Sequence, residues 1–173
     1  MWTKIGIVNK SNAKRKVKEM RRLFIIRKDL HLSKGKMSAM IAHQAEAYWT
    51  NAIRNARKKH EYFEDGHKYV VTLEIDGDVM DNYVNGLFIK TLCEAKNLGQ
   101  LKKVRKYAEE LHLKEGVDFG FINDACLTEL TPENEDGTCT VGVWFAPLPD
   151  EVSHAISKHY QLYKDRENGC VNE

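Results

Sequence analysis

No apolar run in this chain approaches the roughly 18 residues that a membrane-spanning helix requires, and its first residues lack the apolar core of a secretory signal. The expectation is a cytoplasmic protein with no membrane partner. The four cysteines, Cys93, Cys126, Cys139 and Cys170, are scattered and form no C-x-x-C pair, which argues against a zinc ribbon or a redox dithiol and for free thiols. Among seven histidines there is no H-E-x-x-H, and no G-x-S-x-G elbow offers a nucleophilic serine. No structural metal is expected. Repeats, low-complexity stretches and interdomain linkers are also missing, so 173 residues read as one domain with room for a sizeable core.

What is present is asymmetric charge. The net charge is only +2, yet residues 1–28 carry +9 and the remainder −7. Residues 1–21 therefore read as a basic N-terminal extension suited to a polyanion, which it would attract by releasing counterions. Residues 164–173 read as a polar C-terminal tail, leaving 22–163 as the folded domain.

Leu23–Ile26 is an apolar run of the kind found in a strand covered on both faces. From Met37 onward, apolar residues at 37, 40, 41, 45, 48 and 52 follow helical spacing, with the helix expected to end near Arg57–His60. Lys34, Gly35 and Lys36 lie between strand and helix. A helix N-terminus with glycine and lysine suits an oxyanion or phosphate. Further on, 69–75 and 86–92 are strand candidates that can form a hairpin, and 97–113 reads as a helix with Leu101, Val104, Ala108 and Leu111 on one face. Strands at 117–124 and 140–147 follow. Asp150 is placed to cap a last helix with Val152, Ile156, His159 or Tyr160, and Tyr163 facing inward. Alternating strands and helices imply an α/β single-domain three-layer sandwich, a mixed four- to five-stranded sheet flanked by helices.

Three blocks carry a family resemblance. RKDLHLSKGKMSAMIAH resembles the R-x-D-L-x-M-x-K-G-K-x-A-A-Q-x-x-H signature of the archaeal and eukaryotic type (type 2) of peptidyl-tRNA hydrolase. NDACLTEL is similar to that family's D-A-G-x-T-x-[IV] segment, and TVGVWFAP with the helix ending in HYQLY resembles its T-V-x-x-I-G-P strand and closing helix. The resemblance implies hydrolysis of the ester joining a peptide to tRNA, with peptidyl-tRNA as partner and no metal or organic cofactor. Carried over position by position, it implies a catalytic set of Lys36, His43, Asp124, Thr128 and Thr140. Asp124 would polarise water, the threonines would orient it, and Lys36 would meet a phosphate or the developing oxyanion.

Arg27, Lys34, Lys36 and Lys90 are the expected RNA contacts. The family's second-strand lysine falls at Lys90 or, in another alignment, at Thr72, with an insertion of roughly twenty residues on one side or the other. Departures also stand out: Met40 replaces the family glutamine, and Cys126 and Leu127 replace the glycine and arginine of D-A-G-R-T. They open an alternative, a non-catalytic RNA-binding or protein-interaction module of the same fold. A hydrolase for smaller esters has little in its favour, and the sequence leaves a homodimer open.

Overall fold

The computed structural model describes residues 19–63 and 66–164. Strand β1 (Met20–Arg27) leads into helix α1 (Lys34–Asn55), after which β2 (Arg57–Phe63) and β3 (Gly66–Thr72) form a two-stranded antiparallel hairpin. A short helix α2 (Gly77–Val79) runs into a π-helical turn over Met80–Leu87 and then β4 (Ile89–Ala95). Helices α3 (Leu98–Lys102) and α4 (Val104–Glu110) precede β5 (Phe119–Asp124) and β6 (Cys139–Phe145). The two-residue β7 (Leu148–Pro149), helix α5 (Asp150–Ser157) and the two-residue β8 (Gln161–Leu162) complete the described chain.

The main sheet has the order β5-β6-β1-β4-β8, with β7 also pairing to β1. β1 runs parallel to β4 and antiparallel to β6, so it is covered on both edges as well as both faces. That position explains why Leu23 through Ile26 are all buried. Side chains alternate across the strand. Leu23 and Ile25 join Leu101, Val104, Ala108, Ile156 and Tyr160 beneath α3, α4 and α5, whereas Ile26 joins Met40, Cys139 and Val141 beneath α1.

Arg22 fixes α1 to this sheet. Its buried guanidinium donates to the carbonyls of Phe145 (3.0 Å), Gln44 (3.0 Å) and Ala45 (2.6 Å). Burial pulls its pKa down from the ordinary arginine value against the opposing influence of Tyr83 and Tyr48.

Several expectations need correction. Residues 69–75 do not pair with 86–92: β3 pairs β2, and β4 enters the main sheet beside β1. Lys90 thus lies on the strand beside β1, and Thr72 at the end of the hairpin. α1 stops at Asn55 because Ala56 turns extended, and the basic stretch expected to finish the helix starts β2. The 97–113 helix is two short helices meeting at Lys103. Asp150 is the first residue of α5 with Pro149 at the cap position, and its carboxylate pairs with Arg21. Ile156 and Tyr160 face the core, while His159 stacks on Tyr107 at 3.9 Å. The basic extension falls almost wholly, and the polar tail nearly so, outside the described residues.

Candidate active site

Two loops converge at the N-terminus of α1. Ser33 caps the helix, its Oγ accepting from Lys36 N–H at 3.2 Å, while its own N–H donates to Glu129 Oε1 at 3.0 Å. The anion expected at this helix end is therefore supplied by the chain itself, from the loop after β5. Lys34 stays exposed beside it.

Lys36 turns toward the end of β5. Its Nζ lies 2.7 Å from Asp124 Oδ2 and donates to Thr128 Oγ1 at 3.1 Å. Asp124 Oδ1 accepts the Cys126 N–H at 2.9 Å. Burial alone would raise the Asp124 pKa, but the Lys36 hydrogen bond, the Cys126 N–H and the nearby His43 outweigh it and hold the carboxyl below the ordinary aspartate value. Asp124 is thus an anion throughout the neutral range. Cys126 can aim its N–H inward because it adopts a left-handed conformation, φ 56°, at the position where the family pattern has glycine.

These groups open onto a cleft of about 670 Å³ between α1 and β5. Lys36, His43, Ala47, Thr50 and Arg54 line one wall at helical spacing, and Phe121 to Asp124 with Ala125 and Leu127 line the other. Lys36, His43, Asp124 and Thr128 share the cleft, as the sequence reading has them. Thr140 stands back from it, buried on β6, where its hydroxyl donates to Asn123 Oδ1 at 2.9 Å and accepts from Asn134 Nδ2 at 3.2 Å. It reaches the cleft only through Asn123. Met40, at the family's glutamine position, packs into the core against Ile26 and Val141 while also bordering the cleft. One turn later Gln44 is fully buried, with neither side-chain amide atom hydrogen-bonded.

Two expected RNA contacts sit elsewhere. Arg27 is only 3% exposed; its guanidinium binds Asp29, Glu133 and the Thr140 carbonyl. A phosphate would have to displace two carboxylates to reach it, so Arg27 is a structural clamp that ties the 125–138 loop to β1. Lys90 lies on β4, on the other side of β1 and β6 from β5, folded over the Phe88 ring at 3.3 Å from its centroid and donating to the Phe88 carbonyl. Asn123, Glu129, Glu133 and the Cys126 N–H were not legible as site components. Only the acidic residues' position in a hydroxyl-rich loop hinted at them.

Among the described residues no three His, Cys, Asp or Glu side chains group as metal ligands, and no helix is long and apolar enough to cross a membrane. The family profile described as Peptidyl-tRNA hydrolase PTH2 matches residues 20–163. A peptidyl-tRNA hydrolase of Thermococcus onnurineus (strain NA1) is 31% identical over 146 residues, covering 82% of this chain and 96% of that protein. One from Thermococcus sibiricus (strain DSM 12597 / MM 739) is 29% identical over the same length and coverage.

Proposed function

Because this chain belongs to the peptidyl-tRNA hydrolase PTH2 family and cleaves the ester between peptide and tRNA, we propose that Asp124, Lys36 and Thr128 carry that hydrolysis, with His43, Asn123 and Thr140 in support. The observation that carries this reading is the Lys36 ammonium held between Asp124 and Thr128 at the cleft wall.

The Asp124 carboxylate, with lone pairs beyond those taken by Lys36 and Cys126, holds a water molecule and draws on its proton. The water oxygen attacks the ester carbonyl carbon, and the proton moves to the carboxylate. Lys36 spends two N–H groups on Asp124 and Thr128, leaving the third for the tetrahedral oxyanion. Because Thr128 Oγ1 accepts from Lys36, its hydroxyl hydrogen points away, toward the same oxygen. A carboxyl with a depressed pKa gives its proton up readily, so it passes to the ribose oxygen as the C–O bond breaks. The products are a peptide acid and tRNA with a free terminal hydroxyl. Asn123, oriented by Thr140, fixes the second side of the water. His43 borders the cleft one turn from Met40 and is among the groups that lower the Asp124 pKa.

In this reading Lys34 and the basic extension meet acceptor-end phosphates without reading sequence, and translation locates the work in the cytoplasm. A binding-only module is the weaker reading, because it would have no use for a carboxylate and a hydroxyl joined by one ammonium at the cleft wall. Deacylation of N-acetylaminoacyl-tRNA by wild type and by Asp124→Asn tests this. Turnover by wild type with a loss of at least ~100-fold in the variant is expected; equal rates, or salt-sensitive binding without cleavage, would overturn it.

A further inference from the structure

β5 is an edge strand: among the described residues it pairs with β6 on one side and with no other strand. Which of its main-chain groups face outward follows from the ladder. Ala146 N–H donates to the Asp118 carbonyl, and the register from Phe119–Phe145 to Ile122–Gly142 is continuous, so Gly120 and Ile122 turn their N–H and C=O toward β6. Those of Phe119 and Phe121 point away. The Phe119 carbonyl is taken by Gly116 N–H at 2.7 Å. Among the described residues nothing bonds the main chain of Phe121 on its outer side.

That unpaired stretch borders the cleft, one to three residues before Asp124. The Phe121 ring packs under Arg105 on the other face of the sheet, 4.2 Å from the guanidinium carbon, so main chain is what Phe121 leaves at the cleft edge. Beyond Arg54 the groove continues as a hollow of about 290 Å³ floored by Gly120 and Trp144. Apolar walls of Met40, Ala47, Ile122 and Leu127, with Glu46 and Asp124 offsetting Arg54 and Lys36, give the groove no net attraction for phosphate. Phosphate is better met at the other end, where Lys34 is exposed.

We propose that the peptide of the substrate adds to β5 as an extra parallel strand, bonding through its main chain to the Phe121 N–H and C=O, with the scissile ester at Asp124. The inference rests on the hydrolase reading above and deepens it by assigning the peptide half of the substrate to this groove. The physical logic is that peptidyl-tRNA presents whatever sequence was being made, and main-chain pairing binds a peptide without reading its side chains. From Gly120 to Asp124 an extended chain spans about 13 Å, enough for roughly four residues.

The test uses tRNAs carrying N-acetylated peptides of one to five alanines, and the same peptides with one N-methylated residue. The expected result is a kcat/KM that rises about tenfold over the first three or four residues and then levels, with N-methylation costing about fivefold or more at one position and under about twofold at its neighbours. Replacing alanine by valine, serine or lysine at those positions should change it less than about threefold. If N-acetylalanyl-tRNA is cleaved but neither length nor N-methylation matters, or if β5 proves to be occupied by a second copy of the chain, strand addition is wrong and the hydrolase reading stands. If no substrate is cleaved, the hydrolase reading fails and takes this inference with it.

Discussion

Lys36 Nζ and Asp124 Oδ2 face each other at 2.7 Å with only 14% and 10% of their side chains exposed, so the ammonium helps to hold the carboxyl ionised. Lys36→Met removes the oxyanion's cation and should lower kcat at least ~100-fold. It also removes the main group opposing burial at Asp124 and leaves the Cys126 N–H and His43, so the acid limb of the residual rate should move to higher pH than in wild type, where the depressed pKa keeps the rate flat down to the ordinary aspartate range. Stability follows the same sign. Asp124 has a folded pKa below its unfolded one, so its contribution is present above the ordinary aspartate value and fades as pH falls through the folded value. A pH-rate profile and urea titrations at several pH values check both, and an unmoved limb would mean that another group sets it.

Cys126 occupies a left-handed conformation and presents its N–H to Asp124. Valine, branched at Cβ, is strained there, so Cys126→Val should swing the N–H away and cut kcat at least ~10-fold with a lower Tm. Cys126→Gly should keep activity within about threefold of wild type, since glycine adopts φ near 56° freely. Equal effects of the two variants would show that the side chain matters and the backbone does not.

The same residue marks where the sequence was readable and where it was not. Strand β1 and helix α1 were legible because burial writes apolar runs and helical spacing into the chain, whereas Asp124 and Thr128 were singled out by the family resemblance alone. The hairpin was not legible: RKKHEYF opens on four basic residues and has no apolar alternation, because among the described strands β2 pairs only with β3 and lies outside the main sheet. Arg22 and Arg27 misled in another way. They contributed to a basic segment by count, yet one holds three carbonyls and the other two carboxylates inside the fold. Sequence shows a charge but not its partners, and long-range pairing such as Arg27 to Glu133 has no local signature.

Arg27 and Lys34 should therefore separate cleanly in RNA binding. Lys34→Ala should reduce the slope of log affinity against log salt by about 0.7–0.9, as expected for one lost phosphate contact. Arg27→Lys should leave that slope unchanged while lowering stability by about 1–3 kcal/mol, since lysine cannot reproduce the forked contacts to Asp29 and Glu133. Filter binding at four salt concentrations, with urea unfolding alongside, distinguishes them. A slope that falls for Arg27→Lys would return this arginine to the RNA surface.

At Gly142 helix α1 closely approaches the sheet. A Cβ there would sit 2.6 Å from Gln44 Nε2 and 2.6 Å from the Ile25 carbonyl oxygen. Gln44 is a side chain and can give way, but Ile25 lies in the paired centre of the sheet and cannot. Gly142→Ala should accordingly cost about 1–3 kcal/mol in urea unfolding. Adding Gln44→Ala to relieve the first contact should recover little, because the second sets the new Cβ against the Ile25 main chain. Full rescue would show that α1 alone bears the crowding. The register of β6 against β1 would then be looser than the ladder implies, and with it the placement of Thr140 beside Asn123.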